Sequence, residues 1–519
     1  MIGNNASLFD YDLTSLSEGM AGKNCFYILT FWIVLEILFA IIVYWVVLPI
    51  LQKLKQPVPY HGNIVDMMKK TFEEVKNLKS YNFEMYVSGF CNGAKFEDIH
   101  IDNFRSFLAW GMLHKHLHDV TEQEEQDIAD VVDYVGKLHP ELYQLKPGHN
   151  PAVTNCSMTL EPLPIIHRPL IMYITVSLFE TLANAVFLRA CGFQSMEVKG
   201  THYWYKSQGN YDSTMKNKTC SDGLEPMVFL HGISTGWMLY MNIVKAIGTS
   251  RTLILVDVDA IKVKSLNFDM PTPEQFVKSV CRILDRHSIH QASFVGHSFG
   301  SVTAGWFVRY FPEKVSHLTL IDPVTLLLSF PEVAYSFLYR EPTTLIEWVI
   351  YLAAARELTV CHALRRHFWW YNNALWLEDI PAHIGVVVGV SSKDEIINAA
   401  AVYEYCSNCR QQRLSARREA SSSTVSTMGP STTFGYASRR LTRSTSNLLH
   451  SSSDILQEDI NTPIVSSSSI SSNNIKPPIA MIECILWEGY SHGQILLPTE
   501  AQRQFVKMVR CNEKIGSVY

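Results

Sequence analysis

The longest apolar run in the chain lies near its N-terminus. Residues 25–51 read CFYILTFWIVLEILFAIIVYWVVLPIL and include one charged side chain, Glu36. At a rise of about 1.5 Å per residue, a helix of this length crosses a hydrocarbon core of about 30 Å. Residues 1–24 contain more acidic than basic side chains, unlike the basic leader of a cleaved signal peptide. The pattern predicts a transmembrane helix that is retained after a short N-terminal tail.

Positive charges flank this helix unequally. Lys53 and Lys55 follow it, whereas Lys23 alone precedes it. Because short cytosolic segments are enriched in lysine and arginine, we expect a single-pass membrane protein with a cytosolic body. Membrane lipids are then expected partners.

A second apolar run covers residues 169–191, but Glu180 and Asn184 interrupt it. Placing these polar groups in a bilayer is costly, so the run is predicted to be a buried or interfacial helix. A second crossing is the alternative, and it would move the rest of the chain to the other side of the membrane.

Residues 52–195 are predicted to form a helical accessory region. Thr121 and Glu124 have the spacing of a capping box, and the IADVVDYVGKL that follows places apolar residues at helical intervals. The sequence of this region indicates no chemistry of its own.

After residue 195 the pattern changes to short apolar runs bounded by turns, such as PMVFLHG, TLILVDVD, ASFVGHS, SHLTLIDP and HIGVVVGV. Runs that are apolar on both faces suit parallel strands covered by helices on both sides. The predicted fold class is α/β, with a mostly parallel sheet flanked by helices. Its predicted parts are a first core segment at 196–323, a helical cap or lid at 324–380, and a second core segment at 381–405 and 479–519.

Residues 406–478 interrupt the second core segment with serine-rich sequence such as SSSSISSNN. Too few large apolar residues are present to offset the entropy of ordering the segment, so it is predicted to be a disordered insertion. Its first half is basic, and RRLT at 439–442 resembles a basophilic kinase site. A kinase or anionic lipid headgroups are expected partners, with a solvated spacer as the alternative.

Composition narrows the class of protein. The chain has 519 residues, 47% hydrophobic and 18% charged, with a net charge of -5, which describes a globular protein and disfavours a nucleic-acid binder. The 11 cysteines are scattered, and only Cys406 and Cys409 have a CxxC spacing. This pattern favours neither a disulfide framework nor a zinc site, and it suits a reducing compartment.

One pentapeptide indicates nucleophilic chemistry. Gly296-His297-Ser298-Phe299-Gly300 follows the apolar ASFV and precedes the helix-compatible SVTAGWFVRYF. This is the strand, turn and helix order of a nucleophile elbow, in which a strained turn projects the serine hydroxyl and crowding favours glycine two residues to either side. Ser298 is the predicted nucleophile.

A serine nucleophile that attacks an acyl group needs two backbone N–H donors for the oxyanion. The residue after the nucleophile, Phe299, supplies one. The second is predicted at Ile233, because His231-Gly232-Ile233 directly follows the apolar strand PMVFL.

The serine also needs a histidine base and a carboxylate that orients it. His492 in EGYSHGQ follows the last predicted strand, and Asp394 in SSKDEIIN follows the strand before it. The two are 98 residues apart, but about 70 of these belong to the serine-rich insertion, which leaves an ordinary connection. Asp322, after LTLI, is the alternative acid, and Glu395 is the local rival of Asp394.

The order of the motifs HG, GHSFG, Asp394 and SHG resembles that of the α/β-hydrolase superfamily, from about residue 226 to 510. A group of membrane-anchored eukaryotic members is similar in having a long N-terminal region. The resemblance implies ester, thioester or amide hydrolysis without a metal or cofactor, and the serine at the elbow disfavours dehalogenases and epoxide hydrolases. The long insertion before His492 departs from the usual pattern.

The predicted cap contains LIEWVIYLAAA and the aromatic FWWYNNALW. An apolar lid beside a membrane favours a lipid-like ester or thioester as the substrate. The expected function is therefore a membrane-anchored serine hydrolase that forms an acyl-enzyme. An acyltransferase with the same acyl-enzyme, or a scaffold without catalysis, are the alternatives.

Overall fold

A computed structural model describes residues 11–60, 62–207, 224–234, 236–248, 251–263, 266–425 and 480–516. The strands in these ranges are β1 (Gln194–Val198), β2 (Thr201–Lys206), β3 (Met227–Leu230), β4 (Leu253–Val256), β5 (Ala292–His297), β6 (Val315–Ile321), β7 (Gly385–Ser391) and β8 (Ile482–Trp487). The α-helices before the sheet are α1 (Tyr11–Ile42), α2 (Leu48–Leu51), α3 (Ile64–Asn77), α4 (Phe83–Phe90), α5 (Ile101–Leu113), α6 (Glu122–Leu138) and α7 (Leu170–Ala183). Those that follow are α8 (Met241–Ile247), α9 (Pro273–Arg286), α10 (Phe299–Tyr310), α11 (Pro331–Ala334), α12 (Leu345–Ile350), α13 (Leu358–Arg366), α14 (Trp370–Asn373), α15 (Ala399–Val425) and α16 (Glu500–Gly516).

The eight strands form one sheet in the order β1-β2-β4-β3-β5-β6-β7-β8. Strands β1 and β2 are antiparallel to their neighbours, and the strands from β4 to β8 run parallel to one another. Every residue of β3, β4, β5, β6 and β7 is buried, as expected for strands covered by helices on both faces. The predicted α/β class with a mostly parallel sheet is confirmed. Because parallel strands end at the same edge, the loops that follow β3, β5, β6, β7 and β8 meet there.

The helical accessory region packs directly on the cap. Helices α3 to α6 bury a core of aromatic side chains that is continuous with the core of the sheet and the cap. The Tyr86 hydroxyl donates to the carbonyl of Ser329, and the Trp370 indole donates to the carbonyl of Gly111. The predicted capping box at the start of α6 is present, with Thr121 accepting from the Glu124 N–H. The accessory region and the cap thus form one layer above the sheet.

The start predicted for the disordered insertion, residue 406, is too early in the sequence. Helix α15 runs through residues 406–425, and its first part packs against β7 and β8. Val402, Tyr405 and Cys409 are buried at helical spacing, so this stretch gains enough apolar burial to order. The Arg413 guanidinium donates to the carbonyls of three residues, Ile380, Ile384 and Ala480. Residues 426–479, including the RRLT segment, lie outside the described residues.

Two helical segments in the described ranges are long and apolar enough to cross a membrane, Asn24–Leu51 and Leu170–Leu188. The first agrees in position with the predicted transmembrane helix. The second is not a buried core helix, because Leu178, Phe179 and Val186 are exposed. Its polar residues Glu180 and Asn184 are buried, as are Tyr173 and Leu188.

Replacing Arg413 tests whether α15 is part of the folded domain. Arg413→Ala removes charged hydrogen bonds to three carbonyls, so we expect a loss of about 1–3 kcal/mol in the free energy of unfolding. Thermal unfolding of the full chain in detergent measures this loss. Gln411→Ala, at an exposed position of the same helix, is the control and should change nothing. Equal stability of the two variants would contradict the structural role of this helix.

Candidate active site

Ser298 lies in the turn between β5 and α10, with φ 51° and ψ -121°. This region of backbone conformation is strained for a residue with a side chain. Neighbouring backbone fits closely around the turn: a Cβ on Gly300 would lie 2.0 Å from the carbonyl oxygen of Leu230, and one on Gly296 would lie 2.4 Å from that of Gly300. Glycine is therefore required on both sides of the turn, as the motif predicts.

The loops after β7 and β8 bring a histidine and a carboxylate to this serine. His492 Nε2 is 3.0 Å from Ser298 Oγ, and His492 Nδ1 is 2.6 Å from Asp394 Oδ2. The other oxygen of Asp394 accepts from the backbone N–H groups of Ile396 and Ile397. With Nδ1 protonated and donating to Asp394, Nε2 is free to accept the serine proton. The structure thus places Ser298, His492 and Asp394 in one hydrogen-bonded chain.

The two alternative acids contact the same loop in other ways. Asp322, at the end of β6, accepts from the Ser391 and Gly493 N–H groups and from the Ser391 hydroxyl. The Glu395 carboxylate accepts from the His492 backbone N–H. Both carboxylates therefore accept from backbone N–H groups of the histidine loop, while Asp394 accepts from the imidazole ring.

Donor atoms of Asp322, Asp394 and His492 lie within 4.8 Å of one another, close enough to share a metal ion. However, the carboxylate oxygens of both aspartates and the two ring nitrogens of His492 already have hydrogen-bond partners. This set of partners fits a proton relay better than a metal site.

Charge raises the basicity of the histidine. Burial lowers the pKa of His492, but the negative charge of Asp394 and of two neighbouring carboxylates outweighs burial and raises that pKa to about 9. Burial, and then the charge of Asp394, raises the pKa of Asp322 to about 7. The site therefore concentrates negative potential around the imidazole, which stabilises its protonated form.

The predicted oxyanion donors lie beside the nucleophile. The loop after β3 packs so closely that a Cβ on Gly232 would be 2.8 Å from Ser298 Cβ. Ile233 and Phe299 line the same cavity as Ser298. The Tyr240 hydroxyl accepts from the Gly232 N–H and thereby fixes this loop. Both residues predicted to supply the oxyanion donors therefore line the cavity that contains Ser298.

The cavity above Ser298 is lined almost entirely by apolar side chains, as is usual for small-molecule sites. One wall comes from the cap, including Leu328, Phe337, Phe368 and Trp370. The opposite wall comes from the accessory region, through Met68, Tyr86, Phe90, Phe107, Trp110, Gly111 and Met158. The accessory region thus contributes to the site, which its sequence did not indicate.

Sequence reasoning missed Tyr240 and the structural role of Asp322. The motif HG marked the oxyanion loop, but no local signal connects it to a tyrosine eight residues later. For Asp322 the sequence does contain a signal, its position at the end of a buried strand. That position predicts an alternative acid and not a residue that holds the histidine loop.

Residues 225–384 match a family described as alpha/beta hydrolase fold. The abhydrolase domain-containing protein abhd-5.2 of Caenorhabditis elegans is 28% identical over 129 residues, which are 24% of this chain and 29% of that protein. A human serine hydrolase-like protein is 31% identical over 93 residues, which are 18% of this chain and 45% of that protein. These matches span less than half the length of either relative, and they support a hydrolase domain.

Among solved structures, the carboxylesterase CesB from Bacillus subtilis is similar to 66% of this chain and to 99% of its own length. The TM-score is 0.36 and the sequence identity is 12%.

The raised pKa of His492 predicts the pH dependence of the serine. Ser298 is activated only when His492 is unprotonated, so its reactivity should rise with pH and have a midpoint above the usual histidine pKa of about 6.5. Asp322→Asn removes one negative charge and should move this midpoint to lower pH. The second-order rate of inactivation by a soluble fluorophosphonate, measured from pH 5 to 10, tests both statements. A wild-type midpoint at or below about 6.5 would contradict this account.

Proposed function

The chain contains a domain of the α/β-hydrolase superfamily, and on that premise we propose that it is a membrane-anchored serine hydrolase of lipid-like carboxylic esters or thioesters. The observation that carries the proposal is the chain of hydrogen bonds from Ser298 through His492 to Asp394 at an apolar cavity. A purely structural serine would need neither a strained backbone nor a paired histidine.

In the proposed reaction, His492 takes the proton of the Ser298 hydroxyl as the serine oxygen attacks the acyl carbon. The tetrahedral oxyanion binds to the N–H groups of Ile233 and Phe299. The C–O or C–S bond to the leaving group then breaks, and His492 returns the proton to the departing alcohol or thiol. Water, deprotonated by the same histidine, hydrolyses the acyl-enzyme and restores Ser298.

The cavity supports an apolar acyl chain as the part of the substrate that is held. Its wall is formed by aliphatic and aromatic side chains of the cap and the accessory region, and Ser298 lies among its lining residues. Burial of a methylene group in such a site contributes about 0.8 kcal/mol. An ester with a long acyl chain would therefore bind much more tightly than an acetyl ester. This favours lipid-like esters over small polar ones.

The helix Asn24–Leu51 supports membrane anchoring by its length and apolar surface. Trp45 and Ile28, for example, are 80% and 69% exposed, which is unfavourable in water but not in lipid. Lys53 and Lys55 follow the helix and favour a cytosolic catalytic domain.

Labelling with a fluorophosphonate probe tests the proposed nucleophile and base. Full-length wild type in membranes should be labelled, Ser298→Ala should not, and His492→Ala should be labelled at least about 100-fold more slowly, because general-base catalysis is lost. Ser279→Ala, in α9, is the control serine and should retain labelling. Labelling of Ser298→Ala at the wild-type rate would refute the nucleophile, and a folded wild type without labelling would favour the scaffold.

Filling part of the cavity should change the preference for the length of the substrate's acyl chain. Gly111 lines the cavity, and Gly111→Val adds an isopropyl group there. We expect kcat/KM for a long-chain ester to fall about tenfold, the usual effect of a misfitted methyl group or two. Hydrolysis of an acetyl ester should be unchanged and serves as the control. An equal loss for both esters would show that the accessory region does not bind the acyl chain.

A further inference from the structure

Two helical segments of the described residues expose apolar surfaces outside the anchor. The first belongs to Leu170–Leu188 and the second to the cap segment Leu345–Ala355. Their exposed apolar side chains are Ile171, Ile174, Leu178, Phe179, Leu182 and Val186 on the first, and Leu345, Ile346, Trp348, Val349 and Leu352 on the second. We call these residues the apolar surface. Exposed patches of this kind mark contact with a membrane or another protein.

The helix Leu170–Leu188 is inverted relative to a surface helix of a water-soluble protein. Glu180 and Asn184 are 2% and 7% exposed, whereas Phe179 between them is 63% exposed. Lys262 of the catalytic domain lies 3.9 Å from the Glu180 carboxylate, and the Asn184 amide donates to the same group. Glu180 and Asn184 thus face the domain together with Tyr173 and Leu188. Most of the exposed side chains of the helix are apolar, which suits contact with lipid.

Hydrogen bonds join this helix to the middle of the anchor. The Glu36 carboxylate accepts from the N–H groups of Leu170 and Ile171, at 2.6 and 2.9 Å. Glu36 precedes the end of the anchor at Leu51 by 15 residues, or about 22 Å of helix. In a hydrocarbon core of about 30 Å, the start of Leu170–Leu188 is therefore at bilayer depth if the anchor crosses the membrane.

Hydrogen bonds also join the cap segment to the start of the helix Leu170–Leu188. The Arg168 guanidinium donates to the carbonyls of Leu352, Ile166 and His167. The Tyr173 hydroxyl donates to the Glu357 carboxylate at 2.9 Å. These polar groups therefore have partners within the protein, as groups at bilayer depth must. Both parts of the apolar surface consequently lie on the side from which the anchor extends.

A small groove lies between the cap segment and the cavity above Ser298. It is lined by Ile350, Tyr351, Phe337 and Ile396, and also by the charged side chains of Arg340, Glu347 and Glu395. Phe337 and Ile396 also line the cavity above Ser298. The groove therefore adjoins the acyl cavity, and it opens beside the apolar surface.

We propose that the apolar surface inserts into the leaflet nearest the catalytic domain and that ester substrates enter from this leaflet past the cap segment. The occupant of the surface is a lipid bilayer, because the surface is continuous with the anchor through Glu36 and Arg168. Substrate entry rests on the proposed hydrolase function, whereas insertion of the surface does not. Leu170–Leu188 is embedded without crossing, since Glu180 and Asn184 pack on the catalytic domain.

Photo-crosslinking of the full chain in phosphatidylcholine vesicles tests the insertion. Benzoylphenylalanine in place of Val349 or Leu178 should crosslink radiolabelled phosphatidylcholine, at least about fivefold more than in place of Tyr143. Tyr143 is the matched control because it is 72% exposed and belongs to the accessory region. Crosslinking at Val349 and Leu178 no higher than at Tyr143 overturns the insertion. Crosslinking to a protein instead of lipid also overturns it.

A charge placed on the apolar surface tests substrate entry. Leu345→Asp combined with Val349→Asp should reduce hydrolysis of a long-chain ester in vesicles at least about tenfold, because charged groups disfavour insertion. Hydrolysis of a soluble acetyl ester should be unchanged, which shows that the domain is folded and active. Tyr143→Asp is the control and should affect neither rate. Wild-type hydrolysis of the vesicle ester by the double variant overturns entry from the leaflet.

The two proposals fail separately. If wild type hydrolyses no ester and is not labelled by fluorophosphonate, the hydrolase function fails, and the crosslinking result still decides whether the apolar surface inserts. If wild type hydrolyses both esters but shows no lipid crosslinking above the Tyr143 control, the function stands and the insertion fails.

Discussion

The site depends on the close contact of three backbone segments around Ser298. The turn after β5 presses against the end of β3, where only glycine at position 300 leaves room for the Leu230 carbonyl. The same contact brings Gly232 against Ser298, so the nucleophile and the predicted oxyanion donors are positioned by one packing constraint. The sheet stabilises a strained serine that would otherwise cost about 1–3 kcal/mol. Mobility in this contact would separate the groups that the proposed chemistry needs together.

Two aspartates hold the histidine and its loop through different hydrogen bonds. Asp394 accepts from the ring of His492. Asp322 accepts from the N–H groups of Gly493, the next residue, and of Ser391 at the end of β7, and so links the histidine loop to β7. Since both carboxylates are close to one imidazole, their charges act together on its pKa. The accessory region and the cap then form the walls of an apolar cavity above the serine. The proposed catalytic groups thus lie at or after strand ends, and helices of the cap and the accessory region supply much of the cavity wall.

Sequence patterns predicted the elements whose signal is local. Apolar runs gave the parallel strands, and the glycines around Ser298 gave the turn. The role of the accessory region was not predictable, because Phe107 and Trp110 look like ordinary core residues until the cap is packed on them. Helix α15 was missed because serine content outweighed a short apolar face ending at Cys409. The contact of Glu36 with a helix more than 130 residues later is likewise invisible in one sequence, since only tertiary structure brings the two together.

The central claim is that Ser298 forms an acyl-enzyme with a lipid-like ester. Its most direct test is mass spectrometry of the peptide that contains Ser298, after wild-type protein in vesicles is mixed with a long-chain p-nitrophenyl ester and quenched in acid. The account predicts an adduct on Ser298 with the mass of the acyl group, formed as p-nitrophenol is released and lost as fatty acid appears. Release of p-nitrophenol at the full rate with the acyl group on another residue, or on none, would contradict it.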